Sequence, residues 1–208
     1  MKQSSWLVLI IIVLVVIGGF VWWHSTQTAA TGTPVTSTTT APVSADTSTY
    51  TNSALGFTIQ YPSMAAASQT DFNGFLQVTQ TPVTSFVLPA SLSQGTNLSS
   101  AGVYVGATSS PKIVAACTST ASTTGEIAQG TQTINAQQFA VFTASDAGAG
   151  NFYESKSYRT IKNGSCVEIV ELIHSTNIAN YPAGTVTAFN HDQFSGVLDA
   201  MVHTYQNI

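Results

Sequence analysis

The chain opens with an uninterrupted apolar run from Trp6 to Trp23, and this run limits what the rest of the chain can be. None of its 18 residues is charged or strongly polar. As a helix with a rise of about 1.5 Å per residue it would be about 27 Å long, close to a hydrocarbon core of roughly 30 Å. Tryptophans at both ends have amphipathic indoles that favour the membrane interface. The sequence therefore predicts a transmembrane helix over 6–23.

The basic residues around this helix predict its orientation. Lys2 and the α-amino group precede the run, and the next Lys or Arg is Lys112. Positive charge beside a span favours the cytoplasmic side of the membrane. We therefore expect residues 1–5 to form a cytoplasmic N-terminus and the residues after His24 to lie outside. The protein is predicted to be a single-pass protein of the cell membrane, attached through its own N-terminal helix.

An uncleaved signal anchor is favoured over three alternatives. Thr28-Ala29-Ala30 forms a weak cleavage site, so a cleaved signal peptide stays open, although its apolar region usually has only about 7–15 residues. A lipoprotein would need a cysteine directly after the run, and the first cysteine is Cys117. A pilin-type start needs a processing glycine and an early glutamate. Gly18-Gly19-Phe20 comes too late for this and has no glutamate after it.

Residues 24–49 are predicted to be a linker, because they are rich in Thr and Ser and have too little apolar surface to fold. The segment contains Pro34, Pro42 and one acidic residue, Asp46. A plain flexible spacer is favoured, and an O-glycosylated stalk is the alternative. The folded, extracytoplasmic domain is therefore predicted over 50–208, which is long enough for one hydrophobic core.

Residues 50–208 show short alternating segments that are typical of strands, followed by one helical segment. Strands are predicted at 56–61, 74–79, 85–88, 101–108, 126–134, 138–143, 152–161 and 165–174, with a helical turn at 111–117. Asn163-Gly164 joins the last two strands, and Asn-Gly tolerates the positive φ angles of a tight hairpin turn. A helical apolar stripe closes the domain at Phe194, Val197, Leu198, Met201 and Tyr205. The pattern predicts an α+β fold, an antiparallel sheet with flanking helices that include a C-terminal helix.

The first predicted strand carries a motif that resembles a known family. The segment Leu55-Gly56-Phe57-Thr58-Ile59-Gln60-Tyr61-Pro62, preceded by Tyr50 and Asn52, resembles the opening of PsbP-like domains. The segment 194–201 is similar to the last helix of that family. The resemblance implies an antiparallel sheet flanked by helices, in an anchored bacterial protein of unknown function. It implies no activity, and nothing in the sequence argues for a photosynthetic role.

Charge excludes one large class of partners. Charged residues make up 7% of the chain, whereas roughly 25% is usual. The net charge is −4, and the five Lys and Arg residues are scattered, so no basic stripe is available to meet phosphates. We therefore expect no nucleic-acid binding. The sequence also has no G-x-S-x-G, C-x-x-C, phosphate-binding or EF-hand motif.

Cys117 and Cys166 are the only two cysteines. In an oxidising compartment outside the membrane, two cysteines favour a structural disulfide. The bridge would close a loop of about 50 residues and stabilise the fold by about 3–4 kcal/mol in the chain-entropy model. A catalytic cysteine with a partner histidine is the alternative interpretation.

The histidines give no metal signature. His174, His191 and His203 are too far apart in sequence to form the tight pair that zinc sites usually contain. His191 and His203 are predicted to be solvated on the last helix.

The remaining charged residues offer no catalytic pair. Glu168 and Glu171 are predicted to face opposite sides of a strand and therefore cannot share one cleft. Glu154, Lys156 and Arg159 are predicted to form cross-strand pairs at the surface. No catalytic, cofactor-binding or metal-binding residue is predicted.

These observations favour a non-enzymatic extracytoplasmic module that binds or supports a partner, with a protein at the cell envelope as the expected partner. One alternative is a hydrolase whose residues converge only in three dimensions. A cleft lined by Cys117, or by a histidine together with a carboxylate, would favour it. A surface or adhesive protein is the other alternative, suggested by the uncharged exterior rich in Ser, Thr, Asn and Gln.

Overall fold

The computed structural model describes residues 46–69, 76–120 and 125–208, which all belong to a unit that runs from Ala41 to Ile208. The predicted cytoplasmic N-terminus, the predicted transmembrane helix and most of the predicted linker lie outside the described residues. Within the described residues, no helix is both long enough and apolar enough to cross a membrane. The anchor and its orientation therefore stay predictions.

The described part of the chain is mostly antiparallel sheet with few helices. Its strands and helices, in chain order, are β1 (Thr47–Asn52), β2 (Phe57–Pro62), β3 (Ala66–Ser68), β4 (Pro82–Val87), β5 (Leu98–Thr108), α1 (Pro111–Ala116), β6 (Ile127–Ile134), β7 (Gln137–Gly148), β8 (Asn151–Lys162), β9 (Ser165–Thr176), α2 (His191–His203) and β10 (Gln206–Asn207). Ala90–Leu92 and Ile178–Asn180 form short 3-10 turns.

Seven strands form one large antiparallel sheet in the order β3-β4-β5-β9-β8-β7-β6. Three hairpins in succession build the half that runs from β6 to β9. The turn between β8 and β9 lies at Asn163 and Gly164, which have φ angles of 48° and 74°. The predicted Asn-Gly hairpin is therefore confirmed, because both residues adopt the left-handed conformation that this dipeptide tolerates.

A second, small sheet has the order β1-β2-β10. It contains the motif strand β2, where Phe57 and Ile59 are fully buried. Neither β1 nor β10 was expected from the sequence, and β1 begins at Thr47, inside the range predicted as linker. The segment 76–79 is not a strand, although 74–79 was predicted to be one; residues 74 and 75 lie outside the described residues.

The core lies between the large sheet, the small sheet and α2. The predicted apolar stripe of α2 is confirmed, since Phe194, Leu198 and Met201 are buried, as is Tyr205 just after the helix. The ring of Tyr205 stacks on that of Phe57 with centroids 5.3 Å apart. The helix begins after Asn190, whose side chain accepts a hydrogen bond from the backbone N–H of Gln193 at 3.1 Å and so caps the first turn.

The opposite face of the large sheet holds the disulfide. Cys117 follows α1 and is bonded to Cys166 on β9, with 5.6 Å between the two α-carbons. The predicted bridge is therefore present, and neither sulfur is available as a nucleophile. The bond ties the short helix α1 to the edge of the β8–β9 hairpin.

A buried ion cluster lies on the same face, and it corrects one prediction. Arg159 is fully buried rather than part of a surface pair. Its Nε donates to Glu168 across the β8–β9 pair at 2.9 Å, and its terminal nitrogen donates to Glu126. The guanidinium also lies over the ring of Phe142, 4.4 Å from the centroid. A charge without partners would be too costly at this depth, so the acidic residues are part of the fold.

Candidate functional site

A cleft of about 340 Å³ opens between α2 and the end of the large sheet formed by β6 to β9. Its lining residues are Gly125, Ile127, Thr143, Ala144, Ser145, Glu154, Ser155, Lys156, Glu171, Ile173, His191, Ser195, Leu198 and Asp199. The volume is at the lower end of the range that is typical of small-molecule sites.

Strand alternation and helical spacing bring the polar side chains of the cleft together. Lys156 on β8 and Glu171 on β9 are directly paired in the sheet register and share the face that points to α2. On α2, His191, Ser195 and Asp199 follow one another at intervals of four residues, so they lie on one side of the helix. Strands β8 and β9 and the helix therefore bring these five polar side chains into the same small volume.

Glu171 forms the floor of the cleft. It is only 6% exposed, and its Oε1 has no hydrogen-bond partner among the described residues. Burial, followed by the nearby charge of Asp199, raises the pKa of Glu171 to about 8. The side chain is therefore a neutral carboxylic acid at neutral pH, close to the carboxylate of Asp199.

Asp199 is the charged partner of this acid. Its Oδ1 accepts hydrogen bonds from the Lys156 ammonium at 2.7 Å and from the Tyr158 hydroxyl at 2.9 Å. Partial burial opposes ionisation of Asp199, but these donors outweigh it and lower the pKa of the carboxyl. Burial and the neighbouring acids raise the pKa of Tyr158, which stays protonated and keeps donating. The result is a protonated acid beside a stabilised carboxylate.

The mouth of the cleft is more exposed and partly apolar. Nε2 of His191 lies 3.0 Å from a carboxylate oxygen of Glu154, and both side chains are about half exposed. Ile127 projects from β6 with 64% of its surface accessible, whereas Ile173 and Leu198 are buried in the wall. The cleft therefore has an acidic rim, an apolar side and a floor that contains Glu171, whose Oε1 has no hydrogen-bond partner among the described residues.

The three histidines singled out in the sequence are not brought together. His174 lies on the opposite sheet face, where its ring stacks on Tyr153 at 4.3 Å. His203 contacts Gln132 at the end of α2, and only His191 reaches the cleft. Within the described ranges, no group of three or more His, Cys, Asp and Glu residues could hold a metal ion.

The predicted separation of two glutamates is correct, but the conclusion drawn from it is incomplete. Glu168 faces Arg159 on one side of β9, and Glu171 faces α2 on the other. Glu171 nevertheless has a carboxyl partner, Asp199, which comes from the helix. The sequence did not single out Asp199, which accepts hydrogen bonds from Lys156 and Tyr158. The only sequence signal was an acidic residue directly beside a buried stripe.

No family model matches the sequence, and no curated protein matches it. A crystal structure from Bacteroides thetaiotaomicron VPI-5482 is similar to this chain, with 15% identity and a TM-score of 0.41. The match covers 77% of this chain and 48% of that one, so this chain spans about half the length of that protein.

The solution structure of cyanobacterial PsbP from Synechocystis sp. PCC 6803 is similar to this chain as well, with 11% identity and a TM-score of 0.42. It is covered over 94% of its length and covers 79% of this chain. The name of that structure is also the name of the family that the segment Leu55–Pro62 resembles. Both likenesses concern the path of the backbone and say nothing about what the cleft binds.

Proposed function

We propose that the chain is an extracytoplasmic binding module whose binding site is the cleft between α2 and the β6–β9 end of the large sheet. One observation carries the proposal. Glu171 lines a cavity large enough for a ligand, and its buried Oε1 has no hydrogen-bond partner among the described residues. A buried polar atom that makes no hydrogen bond costs about 1–3 kcal/mol, and a ligand donor would remove that cost.

The proposed location outside the cell membrane is supported by the apolar run 6–23 and by the cysteine pair. A disulfide persists in an oxidising compartment, which the exterior of the membrane provides. The run and Lys2 support attachment with the N-terminus inside. The partner at the cell envelope, in this proposal, presents or is the ligand that enters the cleft.

A fragment screen by ligand-observed NMR tests the site on the full chain. The library contains cationic, neutral and anionic fragments of a size that the cleft can hold. We expect fragments to bind the unmodified chain. They should no longer bind the variant Ser195→Trp, in which the residue that lines the cleft from α2 is replaced. The indole would fill the space between the helix and the sheet.

Gly196→Trp is the matched control. Gly196 is on the same helix, and a Cβ added there meets no atom within 4 Å, so the new side chain points into open space. This variant should bind fragments as the unmodified chain does. The proposal fails if no fragment binds the unmodified chain, or if Ser195→Trp leaves binding unchanged.

A hydrolase is the second candidate, because His191 and carboxyl groups do line one cleft and the pKa values of Glu171 and Asp199 move in opposite directions. It ranks second because Asp199 is already bound to Lys156 and Tyr158, so its Oδ1 is not free to activate a water. Ser195 is also engaged, since its hydroxyl donates to the backbone oxygen of Asp192 at 3.3 Å. Turnover of nitrophenyl esters or glycosides that Asp199→Asn abolishes would reverse this ranking.

A further inference from the structure

Carboxyl groups outnumber basic side chains in the cleft. Three carboxyl groups line it, those of Glu154, Glu171 and Asp199, against one lysine. That lysine, Lys156, is bound to Asp199 at 2.7 Å, and Glu154 at the rim is bound to His191. Glu171 is the acid without a cationic partner, and it is also the one whose Oε1 accepts nothing among the described residues.

The chemistry of Glu171 restricts what could bind there. An anion would lie near the carboxylates of Asp199 and Glu154, so the cleft disfavours it. A neutral hydroxyl could donate to Oε1 but would leave the proton of Glu171 in place. An ammonium could do both, because it donates to the carboxyl oxygen and takes the place of the positive charge that the proton supplied.

The walls of the cleft suit an aliphatic stem. Ile127, Ile173 and Leu198 provide the apolar surface, and the cavity of about 340 Å³ holds a short chain rather than a large ring system. The exposed rim at Glu154 and His191 leaves the outer end of the ligand open to solvent. A lysine-like stem with a terminal charge has this division of polar tip and apolar body.

From this arrangement we infer that the cleft binds a primary ammonium on a short aliphatic stem, with the ammonium on Glu171 and the stem along Ile127, Ile173 and Leu198. This inference rests on the proposed function of the same cleft. Binding converts the carboxylic acid of Glu171 and the free ammonium into an ion pair and releases one proton to solvent. The charge in the cleft is the same before and after, so the buried cluster stays neutral.

Calorimetric titration of the full chain at neutral pH tests the inference with three probes of similar length, pentylammonium, 1-pentanol and hexanoate. We expect pentylammonium to bind at least about tenfold more tightly than pentanol, and hexanoate to show no binding. Repeating the titration in phosphate and in HEPES, which differ in ionisation enthalpy and are not primary amines, should show that close to one proton is released for each pentylammonium bound.

Glu171→Gln is the decisive variant, because the amide keeps the shape of the side chain but cannot form the ion pair. It should bind pentylammonium about tenfold more weakly, with no proton release, and bind pentanol as before. Unchanged pentanol binding also shows that the variant is folded. Equal affinity for pentylammonium and pentanol in the unmodified chain would overturn the inference, as would a variant that binds pentylammonium normally.

The outcomes separate this inference from the proposed function. Suppose that pentanol binds, that Ser195→Trp blocks it, and that pentylammonium binds no more tightly. This result would support the cleft as a binding site and contradict only its preference for an ammonium. Absence of binding by every probe and every fragment would contradict both the proposed function and the preference for an ammonium. A fourth probe, Nα-acetyl-lysine methylamide, identifies the source of the ammonium. Binding at least as tight as that of pentylammonium indicates a lysine side chain of a protein partner, and weaker binding indicates a free amine.

Discussion

Arg159 shows how single residues hold the large sheet to the segments around it. Glu168, which pairs with Arg159, also accepts hydrogen bonds from the backbone N–H groups of Val78 and Thr79, both at 3.0 Å. The cluster therefore fastens the irregular segment 76–79 to the sheet through one carboxylate. A buried ion pair contributes little by itself, but the loss of one partner leaves the other charge buried alone.

Arg159→Met is therefore expected to lower the free energy of unfolding by about 3–5 kcal/mol, because Glu126 and Glu168 would remain buried without their cation. Chemical denaturation of the chain and its variant measures the change. Lys112→Met, at an exposed position of α1, removes the same charge and should change stability by less than about 0.5 kcal/mol. Similar losses in the two variants would contradict the buried cluster.

Two buried tyrosines make a second test at the residue scale. The hydroxyl of Tyr205 has no partner among the described residues, and burial raises its pKa to about 12. The hydroxyl of Tyr158 donates to Asp199 at 2.9 Å. Tyr205→Phe should therefore raise the free energy of unfolding by about 1 kcal/mol, whereas Tyr158→Phe should lower it by about 1.5–3 kcal/mol. A loss of stability in Tyr205→Phe would mean that its hydroxyl is bonded after all.

At the scale of elements, the attachment of α2 to β8 and β9 is expected to depend on pH. The groups that face Glu171 are Asp199 from the helix and Lys156 and Tyr158 from β8. Glu171 has a pKa of about 8 in the fold against an ordinary 4.5, so its contribution to stability is complete below pH 4.5 and is lost as the pH rises to about 8. The contribution of Asp199 to stability changes with pH in the opposite direction. Its lowered pKa contributes stability above its ordinary value of 3.8, which is lost as the pH falls through the pKa in the fold.

The melting temperature should therefore decline between pH 4.5 and about 8 and decline no further from this cause above that range. Glu171→Gln removes the titrating group and should flatten the profile over the same interval. Glu154→Gln, which changes a half-exposed glutamate at the rim, should keep the profile of the unmodified chain. Melting curves of the unmodified chain and both variants, recorded across the pH range, measure these profiles. Parallel profiles for Glu171→Gln and the unmodified chain would count against a buried acid.

Elements that rest on local signals were predictable from the sequence. Asn163-Gly164 specifies a hairpin by itself, and the spacing from Phe194 to Met201 specifies the buried side of α2. β10 was not predictable, because it has only two residues and exists through its pairing with β2. Arg159 was expected at the surface because a charged residue is usually exposed, and only tertiary contacts with Glu126 and Glu168 reverse that expectation.

The site was less predictable than the fold for the same reason. Glu171 and Asp199 are on different elements, and alternation along β9 indicates only the face on which Glu171 lies. Which residue meets it there depends on how α2 docks on the sheet, and helical spacing does not fix that position. The cysteine pair was predictable because its signal is chemical: two cysteines and an expected oxidising compartment.

At the scale of the whole molecule, the proposed attachment makes a prediction about the predicted linker. Protease added to intact cells should cut before β1 begins at Thr47 and release the domain, because a Thr- and Ser-rich segment outside the membrane is open to cleavage. Cleavage directly before β1 would release residues 47–208, which is 162 residues. Protection until the membrane is dissolved would contradict the orientation. Release without protease would show that the apolar run is a cleaved signal peptide.

The binding properties proposed for the cleft depend on whether Glu171 is protonated at neutral pH. Carbon-13 NMR of the glutamate carboxyl groups as a function of pH measures this directly, with the Glu171 signal assigned by its absence in Glu171→Gln. The account predicts a titration midpoint of about 8 that falls by at least about one pH unit when pentylammonium is added. A midpoint near the ordinary value of 4.5, or one that pentylammonium does not move, would contradict it.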